Sequence, residues 1–208
     1  MQFETQRLII RPWQPNNDAR HAMDIFGDAR VMAWVEDGGR DTSIRQVQGR
    51  LQRYRKHSIC GKRGIGSWAI EQKDIGRAIG HVMVRPLPDI KVTKTQRARP
   101  CDSDIDEAGL PAEYFEMSWH FRPSSWGFGY ASEAAERVVR YAFEDLNLPM
   151  LLAIAHLENK RAVALMERIG MQSDGLTARY YGGEALLLYR LTSKTTTDGK
   201  KEIDLVLQ

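Results

Sequence analysis

The chain has 208 residues, 42% of them hydrophobic and 27% charged, the balance of one globular domain with a core rather than of a disordered chain. Thirty Lys and Arg against twenty-seven Asp and Glu leave a formal charge of +3, too slight to imply a nucleic-acid partner. Two cysteines, Cys60 and Cys101, without C-x-x-C spacing argue against a disulfide framework or a cysteine-held zinc.

No apolar run approaches the roughly 18 residues of a membrane-crossing helix. The opening Met1-Gln2-Phe3-Glu4-Thr5 lacks the basic-then-apolar order of a secretory leader. A cytoplasmic chain with no membrane partner is therefore expected. Residues 4–12 predict a first strand stopped at Pro12, and short helical stretches follow over 18–26 and 28–35. Ser43 with Gln46 three residues on reads as a capping box. Ile44, Val47, Leu51 and Tyr54 then recur at helical spacing. Arg45, Arg50, Arg53 and Arg55 are read as the solvated face of that helix, and Trp34, Tyr54 and Trp68 as core. Residues 67–71 and 78–84 form a hairpin about Lys73-Asp74-Ile75-Gly76. From 87 to 113 the pattern dissolves, basic in its first half and acidic in its second. Such a length exceeds the roughly 12–15 residues of an ordinary loop, so a flexible insertion is expected.

Beyond it the pattern sharpens. Phe115, Met117, Trp119 and Phe121 fall on one face of a strand, with Glu116, Ser118 and His120 on the other. Ala131, Ala134, Ala135, Val138 and Ala142 stripe a helix. Residues 150–155 read as a buried central strand. Asn159 caps a helix bearing Ala162, Val163, Met166 and Ile169, which stops at Gly170. Two last strands, 172–181 and 184–191, meet at Gly182-Gly183. One domain over 1–192 and a polar tail over 193–208 result, with 203–207 apolar enough for an edge strand. A homodimer through the last strands or the tail is compatible with this pattern.

The candidate chemistry lies in Ser124-Ser125-Trp126-Gly127-Phe128-Gly129-Tyr130-Ala131, between a strand and a helix. Two glycines one residue apart let the backbone turn sharply with its N–H groups converging. The next helix points its positive end at the same spot, which makes an anion cradle suited to a pyrophosphate. A P-loop would need Gly-Lys-Ser/Thr here, and a Rossmann loop a third glycine where Ser132 stands. A tight turn that binds nothing is the other alternative.

This segment resembles the acetyl-CoA loop of the GNAT superfamily of N-acetyltransferases, and the chain resembles the RimJ/RimL-like branch. Glu4-Thr5-Gln6-Arg7-Leu8-Ile9-Ile10-Arg11-Pro12 is similar to that branch's first strand. Ser67-Trp68-Ala69-Ile70 and Ile79-Gly80 are similar to its second and third. Glu116, and the run Trp126-Gly127-Phe128-Gly129-Tyr130-Ala131-Ser132-Glu133-Ala134, resemble its Glu-bearing strand and loop. Asn159 through Met171 resembles its Asn-led helix. The resemblance covers about residues 4–191, broken at 87–113. It departs at Ser124, where the family has Gln or Arg, with Arg122 a candidate substitute.

The resemblance implies a mixed α/β (α+β) GNAT fold: a mostly antiparallel, twisted sheet of about six to seven strands, splayed between the fourth and fifth and flanked by about four helices. It implies acetyl-CoA as co-substrate, held by Trp126, Gly127, Phe128, Gly129, Tyr130 and Ala131, by the main chain near Trp119, His120 and Phe121, and by Asn159, which is also a helix cap. It implies a primary-amine acceptor, on a peptide N-terminus or a small molecule, attacking the thioester directly in a ternary complex. The absence of a Cys or Ser nucleophile beside a base agrees with direct transfer. Glu116 is the candidate general base. Where many members carry an acidic tyrosine stands Met166, and where the branch carries a serine stands Ala162. A thiol of reference pKa about 8.5 is a tolerable leaving group, so solvent suffices to protonate it, with Tyr180 or Tyr181 as alternative donors that are read first as packing. That gap motivates the alternative of a non-catalytic CoA-binding sensor or scaffold. The histidines show no metal-ligand spacing, and His120 lies about 13 Å from Glu116 at roughly 3.3 Å per strand residue, too far for a direct dyad.

Overall fold

The computed structural model describes residues 2–35, 39–60, 65–87, 114–195 and 201–202. It opens with β1 (Phe3–Glu4) folded back on β2 (Leu8–Pro12), so that Phe3 faces Ile10 and Glu4 faces Ile9. Helix α1 (Pro15–Phe26) starts at a proline, whose missing N–H needs no partner in a first turn. Its Ala19, Ala22, Ile25 and Phe26 recur on one buried face. A single turn, α2 (Ala29–Met32), is capped by the Asp28 carboxylate, which accepts from the Arg30 N–H at 2.8 Å. In front of α3 (Ile44–Cys60), Ser43 Oγ accepts from the Gln46 N–H at 3.3 Å, and Gln46 Oε1 accepts from the Thr42 N–H at 2.7 Å. The return bond of the capping box thus lands one residue early.

Strands β3 (Gly66–Gln72) and β4 (Arg77–Pro86) form the expected hairpin, and β5 (Phe115–Phe121) lies antiparallel to β4. Then come α4 (Tyr130–Arg140), β6 (Met150–Ala155), α5 (Lys160–Arg168), β7 (Gln172–Thr177) and β8 (Leu186–Thr192). Among the described residues eight strands make one sheet in the order β1-β2-β3-β4-β5-β6-β8-β7, antiparallel except where β5 meets β6. On one face, Ile25, Phe26, Val47 and Leu51 of α1 and α3 close on the small Ala69 and Ala78. On the other, Val138, Ala142, Leu165 and Ile169 pack with Trp68, Ile70, Val82 and Met117. The alternation within β3, Trp68 and Ile70 to one side and Ala69 to the other, is the pleat dividing two cores.

The mixed, mostly antiparallel architecture is as expected, with two differences of count. The two-residue β1 and the single turn α2 bring the totals to eight sheet strands and five helices, so the splay falls between the fifth and sixth strands. There β5 pairs with β6 at Phe115–Leu151 and Glu116–Leu152. From Met117 onward the β5 edge has no strand partner on that side among the described residues, and the sheet opens into a wedge. Strand β7 stops at Thr177, short of the expected 181, after a bulge at Ser173/Gly175, and Tyr181–Gly183 form a separate tight turn. The expected insertion lies outside the described residues except for Leu87, whose N–H donates to the Tyr114 C=O at 2.9 Å, so the flanks of that segment are adjacent. Lys194–Thr195 and Lys201–Glu202 pair as β9 and β10, while the edge strand expected at 203–207 lies outside the described residues.

Candidate active site

The loop after β5 is built by its glycines. Gly127 (φ 85°) and Gly129 (φ 78°) both occupy the left-handed region, where a side chain costs roughly 1–2 kcal/mol, and Gly129 is the residue from which α4 starts. A Cβ on Gly127 would meet nothing within 4 Å, so dihedral angle rather than crowding demands glycine there. Glu133, in the first turn of α4, anchors the helix to the β1–β2 turn. It accepts from Thr5 Oγ1 at 2.5 Å, from the Arg7 N–H at 2.8 Å and from Arg7 Nε at 2.6 Å. Burial alone would raise its pKa; the bonds from Thr5 and Arg7 outweigh this and hold the carboxyl below its usual value.

The loop, the open β5 edge, the end of β6 and helix α5 enclose a cleft of about 850 Å³. Of the residues singled out from sequence, Glu116, Trp119, His120, Phe121, Trp126, Gly127, Gly129, Tyr130, Ala131 and Asn159 all line it. Phe128 does not. Its ring is 61% exposed and stacks outside on Tyr130, centroids 5.9 Å apart, while its C=O accepts from Arg7 Nη1 at 2.9 Å. Trp126 donates its indole N–H to the Phe121 C=O at 2.9 Å, so one main-chain acceptor on the open edge is taken by a side chain. The Arg161 guanidinium lies 4.3 Å from the Trp126 ring centroid, across the cleft from α5. Asn159 caps α5 through Oδ1, which accepts from the Ala162 N–H at 3.2 Å.

Glu116 is buried, 3% exposed. Strand register sets Arg85 directly opposite it, and Arg85 Nε donates to Glu116 Oε2 at 3.1 Å. The Tyr181 hydroxyl donates to the same oxygen and accepts from Arg85 Nη2 at 2.7 Å. Burial and the Glu116 charge push the Tyr181 phenol well above its ordinary pKa, and Arg85 opposes them. Farther along the same face, Tyr54, His81 and His120 form a near-parallel ring stack, with centroid spacings of 4.5 and 5.7 Å. Burial, then the charges of Arg50 and Arg85, push His120 down to about 4, so it is neutral near pH 7. Ser118 Oγ and His120 Nδ1 on this face are buried without a hydrogen-bond partner.

Sequence reasoning missed Arg85 and misread several others. Tyr181, taken as packing, reaches the cleft because its backbone is left-handed (φ 51°) and swings the ring from the turn before β8 toward Glu116. Arg50, taken as solvated, donates to Asp41 at 2.7 Å and lines the cleft. Trp34 was expected in the core but is 38% exposed and lines the cleft, whereas Tyr54 packs on the core beneath α1 and α3 as expected and lines the cleft as well. Arg122, the candidate substitute for the family's loop residue, donates to Ser125 Oγ at 3.0 Å and borders a separate hollow of about 180 Å³ with Ser124 and Phe128. No local signal marked Arg85, whose pairing with Glu116 is set by the register of β4 on β5. Among the described residues no His, Cys, Asp or Glu cluster could hold a metal ion, and no helix is long and apolar enough to cross a membrane.

A wedge-split sheet with a glycine turn feeding a helix at the wedge defines a class. The acetyltransferase (GNAT) domain model matches residues 7–172, and the chain belongs to that family. It is 27% identical to the uncharacterized N-acetyltransferase YoaA of Bacillus subtilis, over 86% of each chain. It is 32% identical to the FsC-acetyl coenzyme A-N(2)-transacetylase of Aspergillus fumigatus over 81% of this chain, spanning 64% of that longer protein. Among solved structures it superposes on RimL, a ribosomal L7/L12 alpha-N-protein acetyltransferase in complex with coenzyme A. The TM-score is 0.68 at 12% identity, over 92% of this chain and 98% of the other. That is a likeness of fold, and it is the fold that the RimJ/RimL-like sequence features led one to expect.

Proposed function

We propose that the protein transfers the acetyl group of acetyl-CoA to a primary amine, by direct attack within a ternary complex in the cytoplasm. The observation that carries this reading is a buried carboxylate, Glu116, in the same cleft as the glycine turn at the N-terminus of α4. The turn's amides and the helix end suit the pyrophosphate, the open β5 edge suits the pantetheine arm, and Asn159 adds an amide. Glu116 faces the side of the sheet covered by α1 and α3, where Tyr54, Trp34 and Val31 leave room for an acceptor.

The attacking amine must be neutral. At pH 7 a lysine amine of reference pKa about 10.4 is neutral roughly once in 2,500 molecules, whereas an α-amine near 7.7–8.0 is neutral about a tenth of the time. A base such as Glu116 is nearly obligatory for the first and helpful for the second. The RimL and transacetylase names make peptide N-termini and small-molecule amines the acceptors to try first.

Titration calorimetry with acetyl-CoA tests the cofactor half: no binding at high micromolar concentration defeats the reading. Glu116→Gln tests the chemistry. CoA release with a panel of amines and N-terminal peptides should fall about 10²–10⁴-fold, with acetyl-CoA affinity kept within about twofold. The sensor reading has one observation in its favour, the lack of any hydroxyl on the α5 wall, where Ala162 and Met166 stand. It predicts cofactor binding without turnover in either form.

A further inference from the structure

We propose that Tyr181 is the proton donor to the departing thiolate, recharged by the proton that Glu116 takes from the amine. The inference rests on the catalytic reading above and extends it to a residue outside the glycine loop and α5. Direct transfer leaves a proton to be moved. As the amine nitrogen bonds to the thioester carbon, one N–H proton must leave. As the carbon–sulfur bond breaks with its electron pair on sulfur, a proton must arrive there to give the free thiol.

The α5 wall cannot supply it: Asn159, Arg161, Ala162, Leu165, Met166 and Arg168 face the cleft, and the helix carries no serine, threonine or tyrosine. Tyr181 lines the same cleft and donates to Glu116 Oε2. Its oxygen accepts from Arg85 Nη2 at 2.7 Å, so a transient phenolate would sit on a fixed cationic donor. The residue stands in the left-handed region (φ 51°), a strained backbone for a bulky side chain.

The cluster also times the transfer. While Glu116 is a carboxylate, its charge and burial hold the phenol proton in place. Once Glu116 accepts the amine proton that charge is gone, and Arg85 then favours release. The phenol proton passes to sulfur, the Glu116 proton passes to the phenolate, and both groups return to their starting states. The net change is amine plus thioester to amide plus thiol, with no other reactant.

The test is the single-turnover rate of acetyl transfer from acetyl-CoA to Ala-Ala-Ala-amide or hydroxylamine. It is measured for the wild type, for Tyr181→Phe and for 3-fluoro- and 3,5-difluorotyrosine placed at 181 by suppression. The proposal expects Tyr181→Phe to lose roughly 10²-fold in that rate with acetyl-CoA affinity unchanged. It also expects the fluorinated phenols, which keep the hydroxyl and the ring, to show rates that follow phenol acidity. Rates indifferent to fluorination overturn the assignment whatever Tyr181→Phe does, and a Tyr181→Phe rate within threefold of wild type overturns it as well. If the phenylalanine variant fails to fold, the fluorotyrosine series decides. A wild type that binds acetyl-CoA but acetylates no member of the amine and N-terminal-peptide panel defeats the catalytic reading itself, and this inference with it.

Discussion

Burial decides what each titratable side chain in the cleft can do. His120 shares its strand face with Glu116, yet its surroundings are the rings of His81, Phe26 and Tyr54 and the guanidinium groups of Arg50 and Arg85. Burial and those cations favour the neutral imidazole, with a folded pKa of about 4 against an ordinary 6.5. His81 is lowered in the same direction, chiefly by burial and then by His120. Between pH 6.5 and 4 the unfolded chain therefore binds protons that the folded chain refuses. The stability attached to His120 is present in full above about pH 6.5 and is lost as the pH falls toward 4, and His81 contributes in the same direction. For His120 the loss is about 3 kcal/mol. Urea unfolding at pH 7 and pH 4.5 should show it, and His120→Gln should flatten that part of the slope; an unchanged slope would mean that His120 binds its proton equally well in the folded and the unfolded chain.

At the scale of elements, α4 is aimed by what stands before it. Gly129 turns the chain into the helix at φ 78°, and Glu133 ties the first turn to Thr5 and Arg7. Gly129→Ala would place a Cβ 3.5 Å from Arg7 Nη2, ordinary contact, so its penalty is dihedral. We expect roughly 1–2 kcal/mol of lost stability, a fall in melting temperature of about 2–8 °C at roughly 2–4 °C per kcal/mol. We also expect weaker acetyl-CoA binding, because the loop amides re-aim. Calorimetric melting and cofactor titration measure the two separately. A variant with wild-type affinity would mean that the turn does not cradle the cofactor.

At the scale of the molecule, one buried ionic knot joins the sheet to the α1 layer. Arg11 of β2 holds Asp18 of α1 through two bonds of 2.8 Å and Glu71 of β3 through one of 2.7 Å. Asp18 also accepts from the Gln14 N–H at 2.7 Å at the start of α1. Its side chain is 4% exposed, so Asp18→Ala leaves a guanidinium underpartnered in a dry place. The expected loss is about 3–5 kcal/mol in denaturant unfolding, with Asp18→Asn intermediate because it keeps an acceptor oxygen. A loss below 1 kcal/mol would mean that water reaches Arg11 freely.

The linear sequence was enough for what repeats locally. The 2-residue alternation of β5, the 3.6-residue stripe of α4, the Asn159 cap and the paired glycines are each written within a dozen residues, because pleat, helical pitch and allowed dihedrals are properties of short segments. Together with the family resemblance they pointed to the fold, and the site residues they singled out, Phe128 excepted, do line the cleft, though much of its wall was not foreseen. What tertiary structure decided is which distant side chains meet. Arg85 faces Glu116 through the register of two strands separated by residues 87–114. Tyr181 arrives from a turn 65 residues later in the chain through a backbone conformation no propensity favours. Arg50 and Trp34 leave their expected places because the cleft wall needed them there. Such contacts depend on the paths of separate elements through space, and charge, burial and proton affinity follow from the contacts rather than from any local run of residues.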